Sequence, residues 1–208
     1  MYFSADGSRL VQGGKESTDF YDETVLRTIS LTFSQADWWQ QLTNNYTSEV
    51  EIPADLSMDG VTCPGVGVRF KGQTSYQQTG TSKKKSFNIS LDFTDSTQTL
   101  MGYKTLNLNN CYSDPSFVRE VLYFNICRKY IPCPKANFVK LVINGENWGI
   151  YANVQQLNSD FIDEWFADND GARWKAPMTA GGTQPGGQPA AKNADQAAGP
   201  QPPGGQPG

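Results

Sequence analysis

Every aromatic residue of this 208-residue chain (11 Phe, 9 Tyr and 5 Trp) falls at or before Trp174. From Ala176 to Gly208 the chain holds instead 8 Gly and 7 Pro, and only Lys192 and Asp195 carry charge. A segment so poor in apolar side chains cannot bury enough surface to offset the entropy of ordering it. The partition assigns residues 1–175 to one folded domain, ample for a single core. It assigns 176–208 to a disordered Gly/Pro-rich tail or loop insertion.

Composition narrows the chemistry further. The chain has no histidine, which removes Ser-His-Asp and Cys-His catalysis, His-ligated zinc and a histidine pH switch. Its net charge is −4, and phosphate affinity needs clustered Lys and Arg, so no nucleic-acid partner is expected. No run of 18 apolar residues occurs, so no membrane span is expected. The first residues, Met-Tyr-Phe-Ser-Ala-Asp-Gly, lack the basic start and apolar stretch of a secretion signal. Cys63, Cys111, Cys127 and Cys133 form no C-x-x-C pair, against a zinc ribbon or thioredoxin-type site. Buried thiols acting as small hydrophobes are the expected state. Cys127 and Cys133 could pair only if the chain reverses at Pro132.

Strand periodicity runs through most of the domain. Leu26 to Phe33 alternates apolar and polar, Val66 to Phe70 is short and apolar, and Lys83 to Phe93 places Phe87, Ile89, Leu91 and Phe93 on one face. Glu49 to Met58 reads as extended and ends on the Asp59-Gly60 turn, and Lys104 to Leu108 is a further short strand. Phe138 to Ile143 and Trp148 to Val154 flank Asn144-Gly145, a hairpin dipeptide. Ser34 can cap a short helix with Trp38, Trp39 and Leu42, and Gly72 to Ser82 reads as a polar loop. Asp114-Pro115 looks like a helix start running to about Tyr130, with Phe117, Val121, Phe124 or Leu122, and Ile126 on its apolar face. Asn158 or Ser159 caps a helix through Phe166. The pattern is α+β: a mainly antiparallel sheet with two or three helices.

Most local motifs admit a plain structural reading. Gly65-x-Gly67 lacks phosphate-loop spacing, and Asp168-Asn169-Asp170-Gly171 lacks the spacing of a calcium loop. Lys83-Lys84-Lys85 is the only basic run. Alternation turns Lys85 toward the buried face with Phe87 and Ile89, and Lys84 away from it. An inward lysine requires a partner, either a carboxylate or the phosphates of a ligand. Arg119 and Glu120 lie on the helix after Asp114, as a surface ion pair or as a partner for Lys85. Tyr151 and Trp148 follow the hairpin turn, as packing or as a stacking platform.

Longer phrases are more specific. "GVGVRFKGQTSY" (65–76) leads into "KKKSFNISLDF" (83–93), and then come "YKTLNLNNCYSDPSFVREVLYFNICRKYIPCPKANFVKLVINGENWGIYANVQQLNSDFIDEWF" (103–166) and "RWK" (173–175). In order and spacing, from about residue 19 to 175, this resembles the CotH family of atypical protein kinases, the spore-coat-protein-H type. The resemblance implies part of a kinase-like fold and a secreted or cell-surface location. It also implies binding of ATP with Mg or Mn, and phosphorylation of Ser or Thr on coat or surface proteins. By the same resemblance Arg69 and Lys85 face phosphates, Glu120 orients Lys85, Tyr151 stacks on adenine, and Ser75-Tyr76 close the loop motif. Lys71, Gln73 and Gln155 depart from the usual Arg, Asn and Glu. The family's catalytic and metal-binding aspartates lie downstream of "RWK", where this chain has only its Gly/Pro segment, so the residues present are expected to transfer phosphate poorly. The alternative is a non-catalytic coat or adhesion module.

Overall fold

The computed structural model describes residues 19–168 together with Asp170 and Gly171. The N-terminal stretch examined for a secretion signal, the "RWK" segment, the boundary at 175 and the Gly/Pro segment lie outside the described residues. So does Asn169.

Seven strands form one closed barrel, in the order β1-β2-β3-β4-β5-β7-β6. They are β1 (Arg27–Thr32), β2 (Ile52–Met58), β3 (Val61–Lys71), β4 (Ser86–Ser90), β5 (Thr105–Asn109), β6 (Ala136–Ile143) and β7 (Glu146–Gln155). Among the described residues four short helices decorate it: α1 (Trp38–Asn44), α2 (Thr74–Gln78), α3 (Arg119–Cys127) and α4 (Ser159–Trp165). This corrects the α+β, kinase-like expectation: the described chain is a mixed β-barrel with few and short helices. The strands are largely readable from local alternation, short apolar runs and turn dipeptides, but closure is not. It depends on β1 lying parallel to β6, with Arg27 opposite Val139 and Leu31 opposite Ile143, a pairing across more than a hundred residues that no local pattern encodes. The other strand contacts are antiparallel.

The barrel interior is the core. Ile29, Leu56, Val68, Phe87, Leu106 and Leu141 are buried there with their alternating neighbours. Outside it, Val121 of α3 packs with Ala136, Ala152 and Val154 on the outer face of β6 and β7. Tight hairpins join neighbouring strands. Asn144 and Gly145 have φ of 49° and 83°, and Asp59 and Gly60 have 51° and 81°. These left-handed pairs suit hairpin turns of the twist-matching type and explain the Asn-Gly and Asp-Gly dipeptides.

Several local expectations shift. The helix after Asp114 begins only at Arg119, because Phe117 has φ of 62° and breaks the helical path. Asp114 instead organises a turn, accepting from the backbone N–H groups of Ser116 (3.0 Å) and Arg119 (2.8 Å). On α3 only Val121 is fully buried, whereas Leu122 and Ile126 are exposed. The loop from Gly72 contains α2. The residue that precedes α1 is Asp37, not Ser34, and it makes no side-chain capping bond. Asn158 does cap α4, accepting from the Phe161 N–H at 3.3 Å. Phe93 lies beyond the end of β4 and is exposed, unlike Phe87, Ile89 and Leu91.

Ile29 sits on the closing strand with no exposed surface. Ile29→Ala is expected to lower unfolding free energy by about 2–5 kcal/mol, read from urea denaturation. A loss below about 1 kcal/mol would show that the closing strand is not part of the cooperative core.

Candidate functional site

The outward positions of β3, β4 and β5 are polar, and register places them side by side. Arg69 of β3 lies opposite Asn88 of β4, which lies opposite Asn107 of β5. Lys71 lies opposite Ser86. Asn88 and Asn107 point away from the barrel core yet are only 7% and 5% exposed. Buried amides need partners, and here they supply one another. The Asn107 side-chain oxygen accepts from Lys71 Nζ at 2.9 Å and from Asn88 Nδ2 at 3.1 Å. Asn107 Nδ2 donates to Gln156 Oε1 at 2.8 Å and to the Val154 carbonyl at 3.3 Å.

Glu120, on the first turn of α3, borders this network. Its Oε1 accepts from Asn109 Nδ2 at 2.7 Å. Burial raises the Glu120 carboxyl above its ordinary value, while the Asn109 hydrogen bond and the nearby Lys71 charge pull it back. At the other side, Arg69 forms an ion pair with Glu49 at 3.5 Å. Glu51 Oε1 accepts from Ser90 Oγ at 2.6 Å. Arg69, Lys71 and Glu120 therefore share one outward surface, backed by fixed amides.

Lys85 and Tyr151 lie elsewhere. Lys85 is 5% exposed. Its Nζ donates to the Tyr76 carbonyl (2.9 Å), Thr79 Oγ1 (2.8 Å) and the Gly80 carbonyl (2.7 Å), around the C-terminal end of α2. The inward lysine thus finds carbonyls, and Glu120 finds Asn109; the two are not paired with each other. Lys84 turns inward as well, because regular alternation begins only at Ser86. Its Nζ sits 3.6 Å from the centre of the Tyr151 ring and donates to the Trp148 (3.0 Å) and Ile150 (2.7 Å) carbonyls. Burial lowers Lys84 to about 8. Tyr151 is wholly buried in the barrel, its hydroxyl has no hydrogen-bond partner among the described residues, and burial raises its phenol.

Sequence reasoning missed Lys71, Asn88, Asn107, Asn109 and Gln156. Parity could have shown Lys71 on the same side as Arg69, and Asn88 on the side opposite Phe87. Their assembly into one surface needed the register. Two cavities lie apart from that surface. One, of about 220 Å³, is lined by residues including Tyr21, Asn125, Arg128 and Lys135. The other, of about 240 Å³, lies among Trp38, Trp39, Trp148, Lys83 and Glu146. Among the described residues no group of three or more Cys, Asp or Glu is placed to hold a metal ion. Nor is any described helix long and apolar enough to cross a membrane.

Fold and surface together define a closed β-barrel module with an amide-backed outer face, on which Arg69 and Lys71 stand among the carboxylates of Glu49, Glu51 and Glu120. A family model described as CotH kinase protein matches residues 68–201, well over half of the chain, and the protein belongs to the CotH family. A curated relative, inner spore coat protein H of Bacillus subtilis (strain 168), is 31% identical over 81 residues. That match covers 38% of this chain and 22% of the relative, so the similarity spans about a fifth of the relative's length.

Two titrations test this electrostatic arrangement. Lys71→Met is expected to raise the Glu120 carboxyl further, read by NMR titration of side-chain carboxyl carbons; a fall would overturn the Lys71–Glu120 coupling. Lys84 binds its proton less tightly folded than unfolded, so its contribution to stability is missing below about 8 and grows as pH rises toward 10.5. Wild type minus Lys84→Met should therefore gain unfolding free energy across that window, measured by urea denaturation at stepped pH. A flat difference would show the ammonium to be well solvated.

Proposed function

We propose that this chain contributes the nucleotide-binding face of a CotH-type protein kinase, which uses ATP to phosphorylate Ser or Thr on coat or surface proteins. The observation that carries the reading is the placement of Arg69 and Lys71 on one outward face, above buried amides and beside Glu120. Phosphoryl transfer runs largely on positioning and charge neutralisation, for which no histidine is required. Arg offers a fork of donors to phosphate oxygens, and Lys a compact charge. Asn107 anchors Lys71, so the ammonium is held before a ligand arrives, which lowers the ordering cost of binding.

In this reading Lys71 takes the phosphate-facing role that the family pattern suggested for Lys85. Glu120 orients the Lys71 end of the face through Asn109. Lys85 shapes the neighbouring segment by tying down the end of α2. The donor set fits the phosphates of ATP. Magnesium or manganese, when bound, would neutralise their charge, and the carboxylates that hold it are not assigned to the described residues. The match to a spore coat protein supports a coat or surface location. A second reading, a non-catalytic coat or surface module, is favoured by the exposed Leu122, Tyr123 and Ile126 on α3, an apolar stretch of the kind that partners cover.

A thermal-shift titration with Mg-ATP separates the readings. Millimolar Mg-ATP should raise the melting temperature of the wild type. Lys71→Ala and Arg69→Ala should each weaken binding by about tenfold or more, the loss of a charge-assisted phosphate contact. Lys85→Ala should lower the starting melting temperature and keep the ATP shift. Absence of any shift in the wild type removes the nucleotide reading and leaves the coat module.

A further inference from the structure

Trp38 and Trp39 of α1 meet Trp148 of β7, just past the Asn144-Gly145 turn. The ring centres stand 5.6 Å (Trp38–Trp39), 5.7 Å (Trp38–Trp148) and 5.6 Å (Trp39–Trp148) apart. Each ring is braced by a buried phenylalanine. Trp38 stacks on Phe33 at 4.6 Å, Trp39 meets Phe70 at 4.9 Å, and Trp148 meets Phe87 at 6.4 Å. Packing accounts for the braced sides of these rings. It does not account for what surrounds their other sides.

The cavity of about 240 Å³ beside the rings is lined also by Lys83, Ile143, Asn144 and Glu146. The three tryptophans are only partly buried. Their indole N–H groups have no hydrogen-bond partner among the described residues, and none is sealed from solvent. Lys83 and Glu146 are exposed, and their side chains make no ion pair or hydrogen bond among the described residues, with each other or elsewhere. Asn144 is held in place. Its Oδ1 accepts from the Phe33 N–H at 2.8 Å, and its own N–H donates to the Leu31 carbonyl at 2.9 Å. Its Nδ2 donors remain unused among the described residues. Rigid aromatic faces, several idle donors and one idle carboxylate therefore border one small space.

That inventory selects a ligand class. Sites for drug-sized molecules begin at about 300 Å³, so this one has room for a single ring. Lys83 and Glu146 cancel in charge, which favours a neutral ligand over an ion; a quaternary ammonium over the indoles would also face the Lys83 charge. A proline-rich strand stacks well on aromatic rings, but it offers acceptors and no proline N–H, which leaves Glu146 without a donor. A sugar ring meets each requirement. Its C–H face packs on the negative face of an indole, and its hydroxyls both donate and accept.

We propose that this cavity is a glycan-binding site that takes one neutral pyranose residue, its C–H face against the tryptophans and its hydroxyls shared among Lys83, Asn144 and Glu146. Braced rings lose little freedom on binding, which lowers the ordering cost. The cavity lies apart from the Arg69–Lys71 face, so this inference does not depend on the nucleotide reading.

The test is titration of the whole chain, without ATP, by chitotetraose, cellotetraose and β-mannotetraose, followed by tryptophan fluorescence and calorimetry. At least one sugar is expected to give a saturable response with a dissociation constant of about 1 mM or tighter. Trp148→Ala should weaken that binding about tenfold. Because Trp148 also packs on Phe87, a second variant is made at exposed positions only. The Lys83→Ala, Glu146→Ala double variant should keep the wild-type melting temperature and weaken binding about fivefold or more. Lack of a saturable response to all three sugars at millimolar concentration would overturn the proposal. So would binding that is unchanged in both variants, or saturation of the tryptophan signal by a polyproline peptide in place of the sugars.

Discussion

The parallel ladder between β1 and β6 is the constraint on which the rest of the structure depends. β2 to β5 and the β6–β7 hairpin could each form a curled antiparallel sheet alone. Only when Ile29 and Leu31 are set beside Leu141 and Ile143 does the sheet close, and only then is the inside separated from the outside. That separation buries Tyr151 and Phe87 together, at a ring distance of 6.0 Å, and leaves Arg69, Lys71 and Asn107 on the outer wall. Inward side chains of a barrel this small fill its interior.

The outer wall shows how a β-surface can hold charged groups in fixed positions. Asn88 and Asn107 are buried without being core. They form a polar layer between the apolar interior and solvent, satisfied sideways across β4, β5 and the start of the segment after β7. A half-satisfied layer of this kind would be costly. The complete one fixes the Lys71 ammonium, and Asn109 performs the same service for Glu120. The helix meets the barrel through an apolar contact at Val121 and a polar one at Glu120, one residue apart in sequence.

Much of this was legible residue by residue. The alternation of Phe87 and Ile89, the Asn144-Gly145 turn and the Asn158 cap each act within a few residues, and each reads correctly. Failures occur where the deciding partner is distant. Alternation placed Lys84 outside, but the strand starts two residues later, and the Trp148 and Ile150 carbonyls draw the ammonium inward. The Lys85–Glu120 pair is what the family resemblance implies, the residue types alone leaving a surface ion pair equally open. Local geometry gave Lys85 the carbonyls around the end of α2 and gave Glu120 an amide. Lys71 stands out in the sequence only as a departure from the family's arginine, and its place in the amide network rests on Asn107, thirty-six residues away. The α3 start was misplaced because nothing about Phe117 announces its left-handed backbone.

Closure has a further consequence for how such a chain could join a larger assembly. Among the described residues each of the seven strands has a neighbour on both sides over part of its length, so no strand is exposed as an edge along its full length. A sheet that grows strand by strand needs an edge on which to begin, and closure limits this to the overhanging ends of the longer strands, such as Val61–Val66 of β3 beyond its pairing with β4. Contact with another chain then falls mainly to side chains, by shape and charge at the wall, the rims or the exposed flank of α3. Contacts of that kind dissociate and can be altered by single residues.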